Sequence, residues 1–319
     1  MTAGLALVAL AIGRYPVSLT DMVRSMFGLQ GARDVVRALV LQVRLPRVIA
    51  ALCVGANLAA VGSVFQGMFR NPLVDSGILG VSSGAAFGAA VSLLVLPTAA
   101  GVQTGAFVFA LAAVGLVGLI GWRFGSSPLV LIIGGVLVSA LFNSLLGLVK
   151  YVADPLSTLP AITYWLLGSL SGTDWGSLWP LLALTIPGLS FLLLVRWRLN
   201  LLTLSEAEAT SLGVPIRPFR WAVLLVGTVL VAVSVASSGM IGWIGLVVPH
   251  LARAWSGPDH VRLIPASVLL GASTLLVLDT VSRTAMTSEI PLGILTGLIG
   301  VPAFLLFFWR FLRTREEVR

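Results

Sequence analysis

Two histidines, one cysteine and twelve acidic residues are all that a chain of 319 residues offers to acid–base, nucleophilic or metal chemistry. His250 lies in "GLVVPHLAR" and His260 in "GPDH". A metal site needs three or four ligands converging in space, and no such set stands at a recognisable spacing. Cys53, alone and in an apolar stretch, excludes an intrachain disulfide and reads as a small packing residue. No nucleophile has a placed base, and no Walker-type phosphate loop is present. The chain is therefore read as no enzyme: it hydrolyses nothing by itself. One charged pair stands out. Asp279 and Arg283 are four apart near the end of an apolar stretch and share a helix face. Ionisable groups inside a membrane are costly and point to function, proton relay included. A single pair near the interface reads first as a neutralised structural pair, because a proton- or sodium-coupled carrier would carry carboxylates near several span centres.

The elements that hold these residues follow from composition. With 58% hydrophobic and 10% charged residues and a mean hydropathy of +1.04, the chain has more apolar surface than a soluble fold of its length could bury. It belongs in a bilayer, whose hydrocarbon core of about 30 Å takes about 20 apolar helical residues to cross. Ten such stretches are read: 1–13, 48–68, 78–96, 104–122, 128–149, 178–195, 220–237, 240–252, 263–282 and 292–312. They make one all-α polytopic domain over residues 1–319. The first is short and lacks a basic flank, so its true start stays open, and the eighth is too short to cross alone and reads as a half-helix or re-entrant piece. The net charge of +8 comes from scattered single basic residues, not from a clustered face, which excludes a nucleic-acid surface. With the N-terminus inside, twelve of the twenty Lys and Arg fall on cytoplasmic connections and eight outside, favouring both termini inside.

Three connections are expected to matter. Residues 14–43 read as an external surface helix, and 150–177, with aromatics suited to the interfacial belt, as an outer-surface segment. Residues 199–219, the longest cytoplasmic stretch, combine an N-cap (Ser205), first-turn acids (Glu206 and Glu208) and a stop (Gly213 and Pro215). A short helix there either docks in a groove on a partner and passes motion into the membrane, or merely caps a loop. In "RNPLVDSGILGVSSG", residues 70–84, Pro72 and Gly77 end one helix, while Asn71 and Asp75 can satisfy freed backbone groups in a tight cytoplasmic reversal. Small residues in "GANLAAVGSVFQG" and "SSGAAFGAA" fit close helix packing and a lined path equally well.

The run "RLPRVIAALCVGANLAAVGSVFQGMFRNPLVDSGILGVSSGAA" closely resembles the signature region of the FecCD-type permeases, membrane subunits of ATP-driven importers for iron–siderophore complexes, haem and cobalamin. "YWLLGSLSG", "GMIGWIGLVVPHLARAWSGPDH", "LDTVSRT" and "EIPLGILTGLIGVPAFL" follow in the family's order and at its spacing, so the resemblance covers about residues 40 to 312. It implies a type II ABC importer permease of ten transmembrane helices, paired with a second permease subunit, either an identical copy or a similar paralogue, in the inner (cytoplasmic) membrane. It also implies two ATP-binding cassette subunits, which use ATP-Mg while this chain binds no cofactor, and an external or periplasmic substrate-binding protein. Substrate would pass by alternating access.

Residue by residue, the resemblance implies that Arg44 and Arg47 of "RLPR" and Arg283 of "DTVSR" receive acidic side chains of the binding protein, as exposed rim charges suited to bidentate contacts with carboxylates. The other readings of these residues are lipid-headgroup contact for the first two and the Asp279 pair for the third. Segment 203–217 matches the coupling helices, with Glu206, Ala209, Leu212, Gly213 and Val214 as contacts to the ATPase. Asn71 and Leu73, with Pro128 and Leu129, match cytoplasmic gate positions. The expected cargo is a metal chelate. A molybdate or tungstate oxyanion is the alternative within the family, and an autonomous secondary carrier or channel the alternative outside it.

Overall fold

The computed structural model of the chain describes residues 2–13, 15, 17–27, 34–125, 127–204, 208 and 216–316. Among them there are helices and turns but no strand. The helices are α1 (Thr2–Ala11), α2 (Leu19–Phe27), α3 (Asp34–Ala38), α4 (Leu45–Met68), α5 (Val81–Val95), α6 (Ala99–Phe124), α7 (Pro128–Val152), α8 (Thr158–Leu166), α9 (Trp175–Leu194) and α10 (Arg196–Leu199), followed by α11 (Ile216–Ser238), α12 (Ile244–Ser256), α13 (His260–Thr284) and α14 (Leu292–Glu316). Ten of them overlie the ten expected segments. Among the described residues six runs are long and apolar enough to cross a membrane: 34–68, α6, α7, α9, α11 and α13. The helices α1, α5 and the Leu292–Leu306 part of α14 are shorter apolar pieces.

The second segment begins earlier than its composition suggests. A π-helical turn, Leu39–Arg44, joins α3 to α4, so one helical run extends from Asp34 to Met68. Pro46 sits in the first turn of α4, where its missing N–H costs least, and the wider π turn accommodates the junction. The stretch 14–43 is thus not one surface helix: α2 is separate, with Met22 and Ser25 buried, and α3 leads directly into the membrane.

Helix α4 is the centre of the bundle. Its apolar stretch is 83% buried, whereas that of α9 is only 22% buried and faces outward. Without a hydrophobic drive between helices in lipid, small residues decide how closely they approach. Gly55 of α4 meets Gly271 of α13 so closely that a methyl on either would overlap the other's carbonyl oxygen, and the Ser63 and Ser267 hydroxyls bond at 2.7 Å along the same seam. Gly84 and Gly88 of α5 lie against the Phe109 and Gly105 carbonyls of α6, beside an edge-to-face Phe87–Phe109 pair 5.0 Å apart. The small residues of "SSGAAFGAA" therefore serve helix contact. Deeper in the bundle, the Asn57 amide donates to Thr185 Oγ1 (2.8 Å) and Ser234 Oγ (3.1 Å), tying α4 to α9 and α11.

The eighth segment is broken, as expected. At 13 residues, α12 rises about 20 Å and cannot span the core alone. The break between α11 and α12 uses left-handed backbone at Gly239 and Trp243. The last carbonyl before it is met by protein, Ser238 O accepting from Ser169 N–H, and the same turn after α8 meets the start of α14, Leu292 N–H donating to Gly168 O and Gly293 N–H to Leu167 O, all within 2.9 Å. These bonds also correct the reading of 150–177 as a surface segment. Tyr151 and Tyr164 are exposed, but Ile162 and Leu170 are buried, because the turn after α8 is wedged between the α11 break and the start of α14. Side-chain caps fix the starts of α6, α7, α9 and α13. Thr98, Ser127 and Asp259 each accept from a first-turn N–H, and Asp174 forms a capping box with Ser177. Those bonds, the Ser177 backbone N–H first, hold the Asp174 carboxyl below the usual carboxylate range.

Candidate functional site

Charged side chains converge where α1 ends, α4 begins and α13 ends. Asp279, on α13, is 0% exposed. Arg47 donates to it through Nε (2.9 Å to Oδ1) and forms a 2.9 Å ion pair through Nη2, and Arg283 Nε lies 3.7 Å from Oδ2. The i, i+4 pair expected from sequence is therefore present, with Arg47 as the nearer partner. Arg47 also grips Glu289 bidentately, Nη1 to Oε1 and Nη2 to Oε2, each 2.9 Å. Arg44 donates to Leu10 O (2.7 Å), Ala11 O (3.0 Å) and Tyr15 O, and Arg283 to Ala9 O. Those carbonyls belong to the last turn of α1 and the residues beyond, where intrahelical donors run out and the helix dipole is negative. Gly13 leaves room for this, since a methyl there would stand 2.6 Å from Arg44 Nη2.

The three arginines are consequently not exposed rim charges. Arg44, Arg47 and Arg283 are 5%, 9% and 7% exposed. Their positions in the sequence place them at helix ends, but α1 and the 285–291 connection fold over them. Glu289 went unrecognised in the sequence. Its only signal is that it is an acid in the connection after the Asp279 helix, and nothing in the spacing ties it to Arg47, 242 residues away.

The reversal between α4 and α5 is built as expected and then held by α12. Asn71 Oδ1 accepts from Leu73 N–H (2.9 Å), and Arg70 takes left-handed backbone to start the turn. Pro72 O accepts from His250 Nε2 at 2.8 Å, which requires that nitrogen to carry the proton. Gln66 donates to Val74 O and Leu246 O and accepts from Arg253 Nη2, binding the loop to α12. Asp75 accepts from the backbone N–H groups of Ser76 and Gly77. Its carboxyl lies against the first turn of α12, and burial there pushes it above the usual carboxylate range although the residue keeps some surface. Leu73 remains 57% exposed. It helps line a cavity of about 510 Å³ with Pro72, His250, Arg253, His260 and Phe304, which brings both histidines of the chain to one mouth. His260 Nδ1 bonds Asn200 Oδ1 at 2.9 Å, so each ring has a fixed structural partner.

Pro128 and Leu129 open α7 behind the Ser127 cap, with Leu129 exposed. What connects α7 to the reversal is Gly135, whose α-carbon faces Ile78 O and Leu79 closely enough to exclude a side chain. Glu206, Ala209, Leu212, Gly213 and Val214 lie outside the described residues, as does the expected helix around them apart from the exposed Glu208. The residues flanking that segment are placed. The 3-10 turn Asn200–Thr203 reaches the same cavity through Thr203, and the Leu204 carbonyl accepts from Arg70.

An all-helical bundle with several apolar helices, an internal charge cluster and a broken helix defines a polytopic membrane protein. A profile of the FecCD transport family matches residues 1–310, and the chain belongs to that family, whose members are permease subunits of ABC importers. The molybdate import system permease protein MolB of Haemophilus influenzae is 42% identical over 306 residues, covering 94% of this chain and 90% of that protein. The hemin transport system permease protein HmuU of Yersinia pestis is 40% identical over 285 residues, 87% of this chain and 84% of that one. A solved ABC transporter in an inward-facing conformation, assigned to the metal-chelate type, superposes with a TM-score of 0.89 at 40% identity, covering 97% of this chain and 96% of that one.

Proposed function

We propose that the chain is the permease subunit of a binding-protein-dependent importer that moves a metal chelate (an iron–siderophore, haem or cobalamin) across the inner membrane by alternating access. The observation that carries this reading is the near-complete superposition on a metal-chelate-type transporter. Two copies, or this chain and a paralogue, surround the path. ATPase subunits engage 203–217 through Glu206, Ala209, Leu212, Gly213 and Val214. Asn71 and Leu73, with Pro128 and Leu129, close the inner mouth. The arginine cluster receives the binding protein, with Arg47, beside the partly exposed Glu289, as the guanidinium nearest the outside. A second reading, import of molybdate or tungstate, is supported by the 42% identity to MolB.

Isolation of the cognate binding protein with its cargo, followed by mass spectrometry, tests the substrate. A bound chelate is the expected result, and tight oxyanion binding without chelate affinity replaces the first reading by the second. Deleting 206–214 tests the class: ATP-coupled uptake into proteoliposomes is expected to vanish while the permease remains folded. Gradient-driven uptake by the chain alone would mean a secondary carrier instead. The gate assignment has its own test. Leu73→Trp is expected to lower ATP-coupled release several-fold with assembly unchanged, because Leu73 faces open cavity and not packed protein; wild-type release and leak would remove Leu73 from the gate.

A further inference from the structure

The reversal between α4 and α5 lines two cavities. Leu73 faces the one at the inner mouth, while Asp75 and Ser76 face a second, of about 470 Å³, shared with Ser82 of α5, Trp243 of the α11–α12 break and Leu167 beyond α8. Trp243, at the head of α12, and Arg253, in its last turn, belong one to each cavity, and ten residues of helix put them about 15 Å apart. The walls differ in charge: the mouth has two arginines and both histidines, the second cavity one carboxylate and no basic residue. Three polar groups in this second wall have bonding capacity to spare. The Asp75 carboxyl is met only from within two residues, by the backbone N–H groups of Ser76 and Gly77 and by Ser76 Oγ at 3.4 Å, and among the described residues no cation pairs with it. The Ser82 hydroxyl and the Trp243 indole N–H have no partner among the described residues. Trp243 also takes left-handed backbone (φ 69°), which a bulky residue adopts only where the surrounding fold imposes it, and a methyl on Gly300 of α14 would stand 2.6 Å from its Cβ. Backbone strain and α14 together fix the indole in the cavity wall.

We infer that this second cavity is the compartment in which the permease holds one arm of its cargo, Asp75 accepting from an amide N–H or ammonium group of a metal chelate while Ser82 and Trp243 donate to its carbonyl or hydroxyl oxygens. The assignment rests on the metal-chelate reading and narrows it. A wall whose one charge is negative favours a neutral, amide-rich or cationic chelate and repels both an oxyanion and the carboxylates of haem. The volume is that of a small-ligand site and takes a side arm, not a whole chelate. Leu73 and Asp75 stand two residues apart on one reversal, so a movement that opens the mouth also draws the carboxylate away from the cargo.

The test uses the assembled permease–ATPase complex in proteoliposomes, with and without ATP. Ser82→Cys is labelled with a trimethylammonium and a sulfonate methanethiosulfonate, each rate divided by that with a free thiol in solution and read by mass spectrometry of the peptide containing residue 82. The cationic reagent is expected to react about tenfold faster, the effect of a unit charge close by in a partly dry site, and added Asp75→Asn is expected to remove the preference. Leu73→Cys, at the mouth, is expected to show no such preference, a contrast that still decides should Asp75→Asn fail to assemble. Uptake is then measured with the cognate binding protein for cyanocobalamin, a cationic ferric trihydroxamate, haem and molybdate. One of the first two is the expected cargo, carried several-fold more slowly by Asp75→Asn, and labelling decides alone where none of the four is carried. Equal labelling of Ser82→Cys by both reagents, labelling by neither, wild-type uptake by Asp75→Asn, or haem as the cargo would overturn the compartment while chelate import stands. Molybdate carried without any chelate would remove the chelate reading, and the compartment with it.

Discussion

Replacing Asp279 by alanine is expected to abolish recovery of a monodisperse permease, an effect larger than that of any single arginine substitution around it. The carboxylate is 0% exposed and is the shared counter-charge of Arg47 and Arg283. Its removal leaves two guanidiniums buried beside each other without the carboxylate they share. Breaking a buried ion pair by deleting one partner costs about 3–5 kcal/mol, because the surviving charge keeps its desolvation penalty without its compensation. The damage spreads along the chain, since Arg283 also holds the last turn of α1 through Ala9 O, as Arg44 does through Leu10 and Ala11. Size-exclusion profiles and thermal unfolding of the detergent-solubilised protein read this directly. Asp279→Asn, which keeps hydrogen-bond acceptance, is expected to fall between wild type and alanine, and Asp279→Asn with Arg283→Met to recover part of the loss by removing one stranded charge. An alanine variant that melts like wild type would mean that water reaches the arginines and the cluster is not closed.

Much of the bundle could be read from the chain because span length and apolar runs are local properties. The ten segments, the short α12 and the turn chemistry of Asn71 all depend on residues within a few positions of one another. What could not be read depends on what lies over a residue. "RLPR" marks a helix end rich in charge, and at such an end a guanidinium meets either water or protein. The decision here is made by α1 and by Glu289, respectively about 30 and over 200 positions away. The role of 150–177 was hidden for the same reason: Gly168 looks like a loop glycine until Leu292 and Ser238 are seen to bracket its backbone. The small-residue stripes were ambiguous between packing and path, and only the opposing glycines, Gly55 with Gly271 and Gly88 with Gly105, decide for packing. His250 shows the converse case. Without metal-ligand spacing it offered no chemistry, and its hydrogen bond to Pro72 O carries the position of that turn into α12.

Two glycines at one crossing are expected to fail in different ways, and the contrast bears on how the inner loop is moved. Gly62 of α4 and Gly245 of α12 touch, but the atoms that a methyl would meet differ. On Gly62 it would overlap the Gly245 carbonyl, which is helix backbone and cannot yield unless α4 and α12 separate. Gly62→Ala is therefore expected to cost at least the 1–3 kcal/mol typical of overpacking, roughly, and Gly62→Leu to prevent assembly. On Gly245 a methyl would meet the Asp75 carboxyl at 2.5 Å and the Ser76 hydroxyl and Cβ, side-chain atoms on the loop that carries Asn71 and Leu73. A loop can shift where a helix cannot. Gly245→Ala is thus expected to assemble and melt close to wild type while displacing the 71–76 reversal, seen as increased substrate leak or altered release in proteoliposomes and as changed accessibility of a cysteine placed at Leu73. Equal loss of assembly in Gly62→Ala and Gly245→Ala would show that the loop is as rigid as the helices around it, and a loop of that stiffness could open only by moving together with α12.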